Sequence, residues 1–151
     1  MIELAEVETM REIFAAIERR DNDWFAELVQ ADLELHWPPS LPYGGTTRGP
    51  DPDRPTWGRT WQALQPTEAE RRMDPRVVAA SGDEVVVLWR QRGLSPSGER
   101  LDTQVLGLYR FTEGRLARGQ MFYFDPVAVA AFLATTAGAE PAERAESASS
   151  G

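Results

Sequence analysis

The stretch from residue 105 to residue 132 constrains the fold of this chain more than any other. Its first part, VLGLYRF, is apolar and aromatic and suits a buried strand, and residues 112–114 supply a turn whose glycine can adopt positive φ. RLARGQMFYF returns as a second strand. Asp125 and Pro126 then open a helix, because Asp caps helix N-termini and Pro suits their first turn. The stretch therefore predicts a β-hairpin that runs directly into a short helix.

The rest of the chain predicts helices first and hairpins afterwards. The predicted elements are an amphipathic helix over 2–20, a second helix over 24–30, a strand over 33–37, a Pro- and Gly-rich loop or lid over 38–55, a helix over 56–64, an interrupted strand over 68–80, and strands over 85–92 and 101–111. Sequential hairpins predict an α+β domain with a mostly antiparallel sheet and helices on one face, spanning residues 1–134. Residues 135–151 form an acidic tail with too little apolar content to pack, so we expect it to be disordered.

The residues that are missing exclude several kinds of chemistry. The chain has no Cys and all 16 basic residues are Arg, which excludes thiolate sites and lysine Schiff bases. His36 is the only histidine, so one chain cannot build a multi-histidine metal site. We therefore expect neither a metal nor a cofactor. A net charge of −8 disfavours nucleic acid, and the lack of a long apolar run or signal segment predicts a cytoplasmic protein without a membrane partner.

Two segments resemble a known family. The order of elements, the PYGGTTRG loop after the first strand and LGLYRFTEGRLARGQMFYFD before the last helix are similar to the SnoaL-like families of the nuclear transport factor 2-like superfamily, over roughly residues 3–134. The final hairpin also resembles limonene epoxide hydrolase. The resemblance implies a curved sheet wrapped around N-terminal helices into a cone with a mostly apolar pocket. It also implies a homodimer formed through the sheet.

The catalytic carboxylates of the relatives do not carry over to this chain. The base of ketosteroid isomerase falls on Trp37, and its oxyanion-hole Asp falls near Gly107. The Arg-x-Asp of limonene epoxide hydrolase falls on residues 88–90, which read Leu-Trp-Arg, and its second Asp falls near Phe122. The catalytic Asp of the SnoaL cyclases lies in this same last-strand region. The resemblance thus implies the fold without supplying a mechanism.

Alignment of the final hairpin with these relatives also implies which side chains face the cone interior. The implied inward set is Leu35, Trp37, Leu88, Arg90, Arg92, Thr103, Val105, Tyr109, Gln120, Phe122 and Phe124.

Four residues are candidates for catalysis. Arg90 is the first, because an Arg within VVVLW is costly to bury unless it meets an acid, a carbonyl or a ligand anion. It would stabilise an enolate, or it pairs with an acid on a neighbouring strand. His36 is a possible base, although the alternation of LELHW places it on the opposite face, as a surface or interface residue. Tyr43 would donate a hydrogen bond or anchor a turn, and Gln120 would bind a carbonyl or lie at a sheet edge.

An aromatic set is the candidate for substrate binding, with plain core packing as the alternative. Its members are Trp37, Trp57, Trp61, Tyr109, Phe122 and Phe124.

These observations favour a small-molecule enzyme of SnoaL-like type. It would cyclise, isomerise or dehydrate a hydrophobic, oxygenated, polyketide-like metabolite by confinement and hydrogen bonding. The alternatives are a non-catalytic binding module for an apolar ligand, and an epoxide hydrolase-like enzyme without the usual carboxylates.

Overall fold

The computed structural model describes residues 2–49 and 64–136, with side chains from residue 5 onward. The chain begins with α1 (Ile2–Arg19), an amphipathic helix whose apolar residues recur every three or four positions and are buried, among them Met10, Ile13 and Phe14. Next comes α2 (Asn22–Leu28). The Asp21 carboxylate caps it by accepting a hydrogen bond from the Trp24 amide at 3.1 Å.

Six strands form one curved sheet in the order β2-β1-β6-β5-β4-β3. They are β1 (Val29–Trp37), β2 (Gly45–Arg48), β3 (Arg76–Ser81), β4 (Glu84–Leu94), β5 (Arg100–Thr112) and β6 (Arg115–Tyr123). Only the β1–β6 pair is parallel among these strands. A short helix, α3 (Glu68–Arg71), precedes β3, and α4 follows β6 over residues 126–136.

The predicted α+β architecture is confirmed, with two local differences. The interrupted strand predicted over 68–80 is helix α3 followed by β3. The loop predicted over 38–55 contains β2, which pairs with β1 after a tight turn. The predicted helix over 56–64 lies outside the described residues up to residue 63, and with it Trp57 and Trp61. The tail predicted over 135–151 begins with the last two residues of α4, and from residue 137 onward it too lies outside the described residues. Within the described residues, no helix has the length and apolar character to span a bilayer.

Two apolar clusters fill the concave side of the sheet. The larger joins α1 to the inner faces of the strands and includes Phe14, Val87 and Trp89. The smaller lies under α4 and includes Val129 and Phe132. Tyr43 and Tyr123 pack against both clusters, so they stand where the sheet interior meets α4.

The predicted inward register holds in β1 and β5 but is wrong in β4. Trp37, Val105 and Tyr109 are buried as predicted. Residues opposite each other in neighbouring strands share a face, and Trp89 is opposite Val105, so Trp89 points inward. Leu88, Arg90 and Arg92 therefore lie on the outer face. The prediction failed because VVVLW is apolar on both faces, so alternation alone did not assign its sides.

The register is also wrong in β6, where a bulge inverts the faces. Phe111 is opposite Leu116, but Arg110 is opposite Arg118, which leaves Ala117 as an extra residue. Beyond this bulge the inward residues of β6 are Gly119, Met121 and Tyr123, and the outward residues are Gln120 and Phe122. Phe124, beyond the strand, is exposed as well.

Candidate functional site

All three tyrosines of the chain lie in the interior between the sheet and the helices. The Tyr43 and Tyr123 hydroxyls are 2.6 Å apart, and the Tyr123 hydroxyl donates to Gln91 Oε1 at 3.2 Å. Because the proton of Tyr123 is directed to Gln91, the Tyr43 hydroxyl is the donor to the Tyr123 oxygen. The result is an ordered hydrogen-bond chain from Tyr43 through Tyr123 to Gln91, which we call the Tyr–Tyr–Gln chain.

Aromatic rings surround this chain. The Trp37 ring meets Tyr43 edge to face at a centroid distance of 5.5 Å, and Trp89 meets Tyr123 in the same way at 6.5 Å. Trp89 Nε1 donates to the Tyr109 hydroxyl at 3.0 Å. Edge-to-face contacts fix ring orientation, so they hold the hydroxyls of the Tyr–Tyr–Gln chain in place.

Burial keeps these phenols protonated. It raises the pKa of Tyr43 and of Tyr109 because the phenolate would lose its hydration. It raises the pKa of Tyr123 as well, and the neighbouring Tyr43 adds to that rise. The three tyrosines are therefore neutral hydrogen-bonding groups at neutral pH, and they cannot act as bases there.

Gln91 is the polar side chain at the end of the chain. It is 0% exposed and shares the inner face of β4 with Val85, Val87 and Trp89. Thr103 stands directly opposite it in β5. The Gln91 Nε2 group is buried and has no hydrogen-bond partner within the part of the chain that the structure describes. Such a donor is uncommon in folded proteins, because leaving it unpaired costs about 1–3 kcal/mol.

The inner positions of the six strands carry no charged side chain. Among the described residues, Glu70 in α3 is a buried carboxylate, but both of its oxygens are engaged. Arg100 donates to one at 2.8 Å, and the Thr67 hydroxyl donates to the other. Because side chains of the chain itself hold both oxygens, Glu70 has a structural role.

Three of the four catalytic candidates lie on the outer face, away from the interior, and the first two are Arg90 and Gln120. Arg90 pairs with Asp102 on the neighbouring strand at 2.9 Å, which is the alternative that the sequence left open for it. Gln120 lies on the outer face because of the bulge at Ala117. Since neither faces the interior, neither can contact a ligand bound there.

His36 lies on the outer side of β1, as the alternation of that strand predicted. Its Nε2 is 2.6 Å from Glu34 Oε1, and its Nδ1 is 3.1 Å from the Thr46 hydroxyl. Arg48 donates to the other oxygen of Glu34. The hydrogen bond from His36 is the main reason that the pKa of Glu34 is lowered. His36 therefore belongs to a surface network and does not reach the interior.

The aromatic candidates divide between the two faces. Trp37 and Tyr109 are buried on the inner face, and Tyr43 contacts Trp37 there. Phe122 is 51% exposed and Phe124 is 61% exposed, so their predicted pocket positions are wrong.

The sequence analysis missed Gln91 and Tyr123 as site residues. For Gln91 the alternation of β4 gave no usable signal, because VVVLW is apolar on both faces and so fits either side of the sheet. No signal existed for Tyr123 either, because its face depends on the bulge at Ala117.

Comparison with solved structures supports the fold. The protein Bal32a from a soil-derived mobile gene cassette superposes with a TM-score of 0.70 at 22% identity, covering 86% of this chain and 97% of that one. A nuclear transport factor 2-like protein from Burkholderia pseudomallei gives 0.60 at 23% identity, covering 79% and 90%. A candidate SnoaL-like polyketide cyclase from Jannaschia sp. CCS1 gives 0.64 at 19% identity, covering 82% and 88%.

Sequence comparison assigns the family. An uncharacterised protein of Mycobacterium tuberculosis is 31% identical over 134 residues, which cover 89% of this chain and 100% of that protein. The family model of the SnoaL-like domain matches residues 10–119. The chain therefore belongs to the SnoaL-like domain family and has the nuclear transport factor 2-like cone fold.

Proposed function

We propose that this protein is a cofactor-independent enzyme that cyclises, isomerises or dehydrates a hydrophobic, oxygenated, polyketide-like metabolite. The observation that carries the proposal is the Tyr–Tyr–Gln chain within an aromatic interior. Proteins of the same fold include candidate polyketide cyclases, such as the one from Jannaschia sp. CCS1.

The chemistry follows from what neutral donors do in a site that excludes water. In the cyclisation of a polyketone, the carbon of an enol adds to a second carbonyl group. The carbon–carbon bond forms as the carbonyl π bond breaks, negative charge develops on the carbonyl oxygen, and the enol O–H proton passes to that oxygen. A fixed hydrogen-bond donor such as Gln91 Nε2 stabilises that charge more than it stabilises the neutral carbonyl. The rings of Trp37 and Trp89 confine the flexible part of the substrate, which lowers the entropy lost on the way to the transition state.

We further propose that the protein works as a homodimer joined through the outer face of the sheet. Leu88, Leu106 and Phe122 lie directly opposite one another across β4, β5 and β6, and Leu108 lies beside them. We call these four residues the outer-face patch. Ion pairs of Arg90 with Asp102 and of Arg110 with Glu84 border the patch, as polar rims border protein interfaces.

A non-catalytic binding module is the second candidate. The observation that favours it is the charge-free inner face of the strands, together with the engagement of Glu70 by Arg100 and Thr67. General base catalysis needs a group that accepts a proton near neutral pH, and the buried phenols do not. A binding module needs only the rings and the Gln91 donor.

Incubation with a panel of linear polyketone thioesters, followed by mass spectrometry, tests the enzyme proposal. We expect a product isomeric with its substrate, or lighter by one water, at a rate above that of buffer alone. Gln91→Leu should lower kcat about a hundredfold, because it removes a donor to the developing oxyanion. Gln104→Leu is the matched control on the outer face of the neighbouring strand, and it should retain the wild-type rate.

Two results separate the candidates. If polyketones bind but are recovered unchanged at the rate of buffer alone, the binding module is correct. If turnover occurs and Gln91→Leu does not slow it, the enzyme proposal survives and the role given to Gln91 is wrong.

A further inference from the structure

The orientation of the Gln91 amide decides what kind of ligand the interior selects. Gln91 Oε1 accepts the Tyr123 hydroxyl proton, so the Nε2 group is turned away from the tyrosines. The opposite orientation would place an N–H against the Tyr123 oxygen. That arrangement would reverse the direction of both hydrogen bonds in the Tyr–Tyr–Gln chain. In the orientation that the structure has, the group left without a partner at the end of the chain is the donor Nε2.

No acceptor among the described residues forms a hydrogen bond with Gln91 Nε2. Its inward neighbours along β4 are Trp89 and Gly93, and Thr103 stands opposite it without bonding to it. Gln91 is fully buried, and its Nε2 has no partner. A ligand oxygen placed there would recover a hydrogen bond that the protein alone leaves unmade.

The charge of that ligand oxygen is limited by the same surroundings. Among the residues that the structure describes, a carboxylate buried beside Gln91 would meet one neutral amide and neutral phenols, and no inner strand position offers an Arg to balance it. Burial of an unpaired carboxylate costs several kcal/mol, which one neutral donor does not offset. A hydroxyl is also a weaker match, because its own proton then needs an acceptor in an apolar site.

We propose that Gln91 is the specificity-determining residue of this site, and that it selects uncharged, ring-containing ligands through a carbonyl oxygen bound to its Nε2 group. This inference rests on the proposed function, because it assumes that the interior binds a small molecule. To the proposed function the inference adds the class of ligand, and it excludes carboxylic acids that have the same ring skeleton as the ketone ligand.

Three probes with one ring system test the selection by calorimetry on the full chain. They are acetylnaphthalene, the secondary alcohol obtained by its reduction, and naphthoate. We expect the ketone to bind most tightly, with naphthoate weaker by on the order of a hundredfold. Gln91→Leu should weaken ketone binding about five- to tenfold and should change alcohol binding little, because one neutral hydrogen bond is lost.

The outcomes distinguish the inference from the proposed function. If naphthoate or the alcohol binds more tightly than the ketone, the inference is wrong, but the proposed ligand site in the interior still stands. An equal loss of affinity for all three probes in Gln91→Leu also overturns the inference, since that result indicates a structural role for Gln91. If none of the three probes binds the wild type, both the inference and the proposed aromatic ligand site are wrong.

Tyr123→Phe is the second variant, and it keeps the inference testable if Gln91→Leu does not fold. The change removes the hydroxyl that orients Gln91 Oε1 while it keeps the ring against Trp89. The amide then rotates freely between its two orientations, so we expect the ketone-to-alcohol preference to fall about threefold or more. An unchanged preference would show that the Tyr–Tyr–Gln chain does not orient the amide.

Discussion

Gly107 leaves space in the interior that an aromatic ring fills. A Cβ at this position would overlap the Tyr109 ring, which lies across the strand surface at Gly107 and against Gly119. The resemblance to ketosteroid isomerase placed the oxyanion-hole Asp of that enzyme near this residue. In this chain the space belongs to Tyr109, whose hydroxyl accepts from Trp89. Absence of a side chain at one residue therefore lets an aromatic ring occupy the interior.

Gly107→Ala should destabilise the protein by about 1–3 kcal/mol, because the Tyr109 ring must leave its contacts with Phe14 and Trp89. Urea denaturation measures the loss. Tyr109→Ala supplies the control, since Gly107→Ala in that background should cost much less than in the wild type. Additive effects of the two changes would show that the ring does not fill the space above Gly107.

Because the tyrosines are buried, we predict that the folded protein loses stability at alkaline pH. Their folded-state pKa values are raised by burial above the ordinary value of 10.0, so the native state holds protons that the unfolded state releases. This stabilisation is complete below about pH 10 and is lost as pH rises further, by up to about 1.4 kcal/mol per pH unit for each tyrosine. Near-ultraviolet absorbance should show tyrosinate forming together with loss of the far-ultraviolet circular dichroism signal. Tyrosinate formation near the ordinary pKa with an intact dichroism spectrum would contradict this expectation.

At the scale of the element, the position of one bulge decides what the last strand presents. Turn residues and the Asp125 cap predict the hairpin and the helix after it, and Asp125 Oδ1 does accept a hydrogen bond from the Ala128 amide at 2.9 Å. No such local signal predicts which residues of β6 face the interior. Ala117 carries no sequence signal for a bulge, yet the bulge at this residue places Tyr123 inward and Gln120 outward. The same sequence without the bulge would present the opposite set of side chains to a ligand.

At the scale of the whole molecule, the outer-face patch predicts self-association. Phe122→Asp should convert the dimer to a monomer, because a carboxylate at the centre of an apolar interface loses its hydration. Sedimentation velocity measures the change. Val78→Asp is the matched control, since Val78 is also 51% exposed but lies in edge strand β3, away from the patch. A wild-type protein that sediments as a monomer would refute the proposed dimer.

The sequence by itself determined the α+β class, the family, the chemistry that missing Cys and Lys residues exclude, and the order of elements apart from α3 and β2. These follow from local signals, namely apolar periodicity, turn residues, helix caps and composition. Only the tertiary structure decided which side of β4 and β6 faces the interior. Strand faces depend on pairing with neighbours and on a bulge, and neither leaves a local signal in VVVLW or RLARGQMFYF. For that reason Arg90 and Gln120 were predicted for a site that Gln91 and Tyr123 occupy.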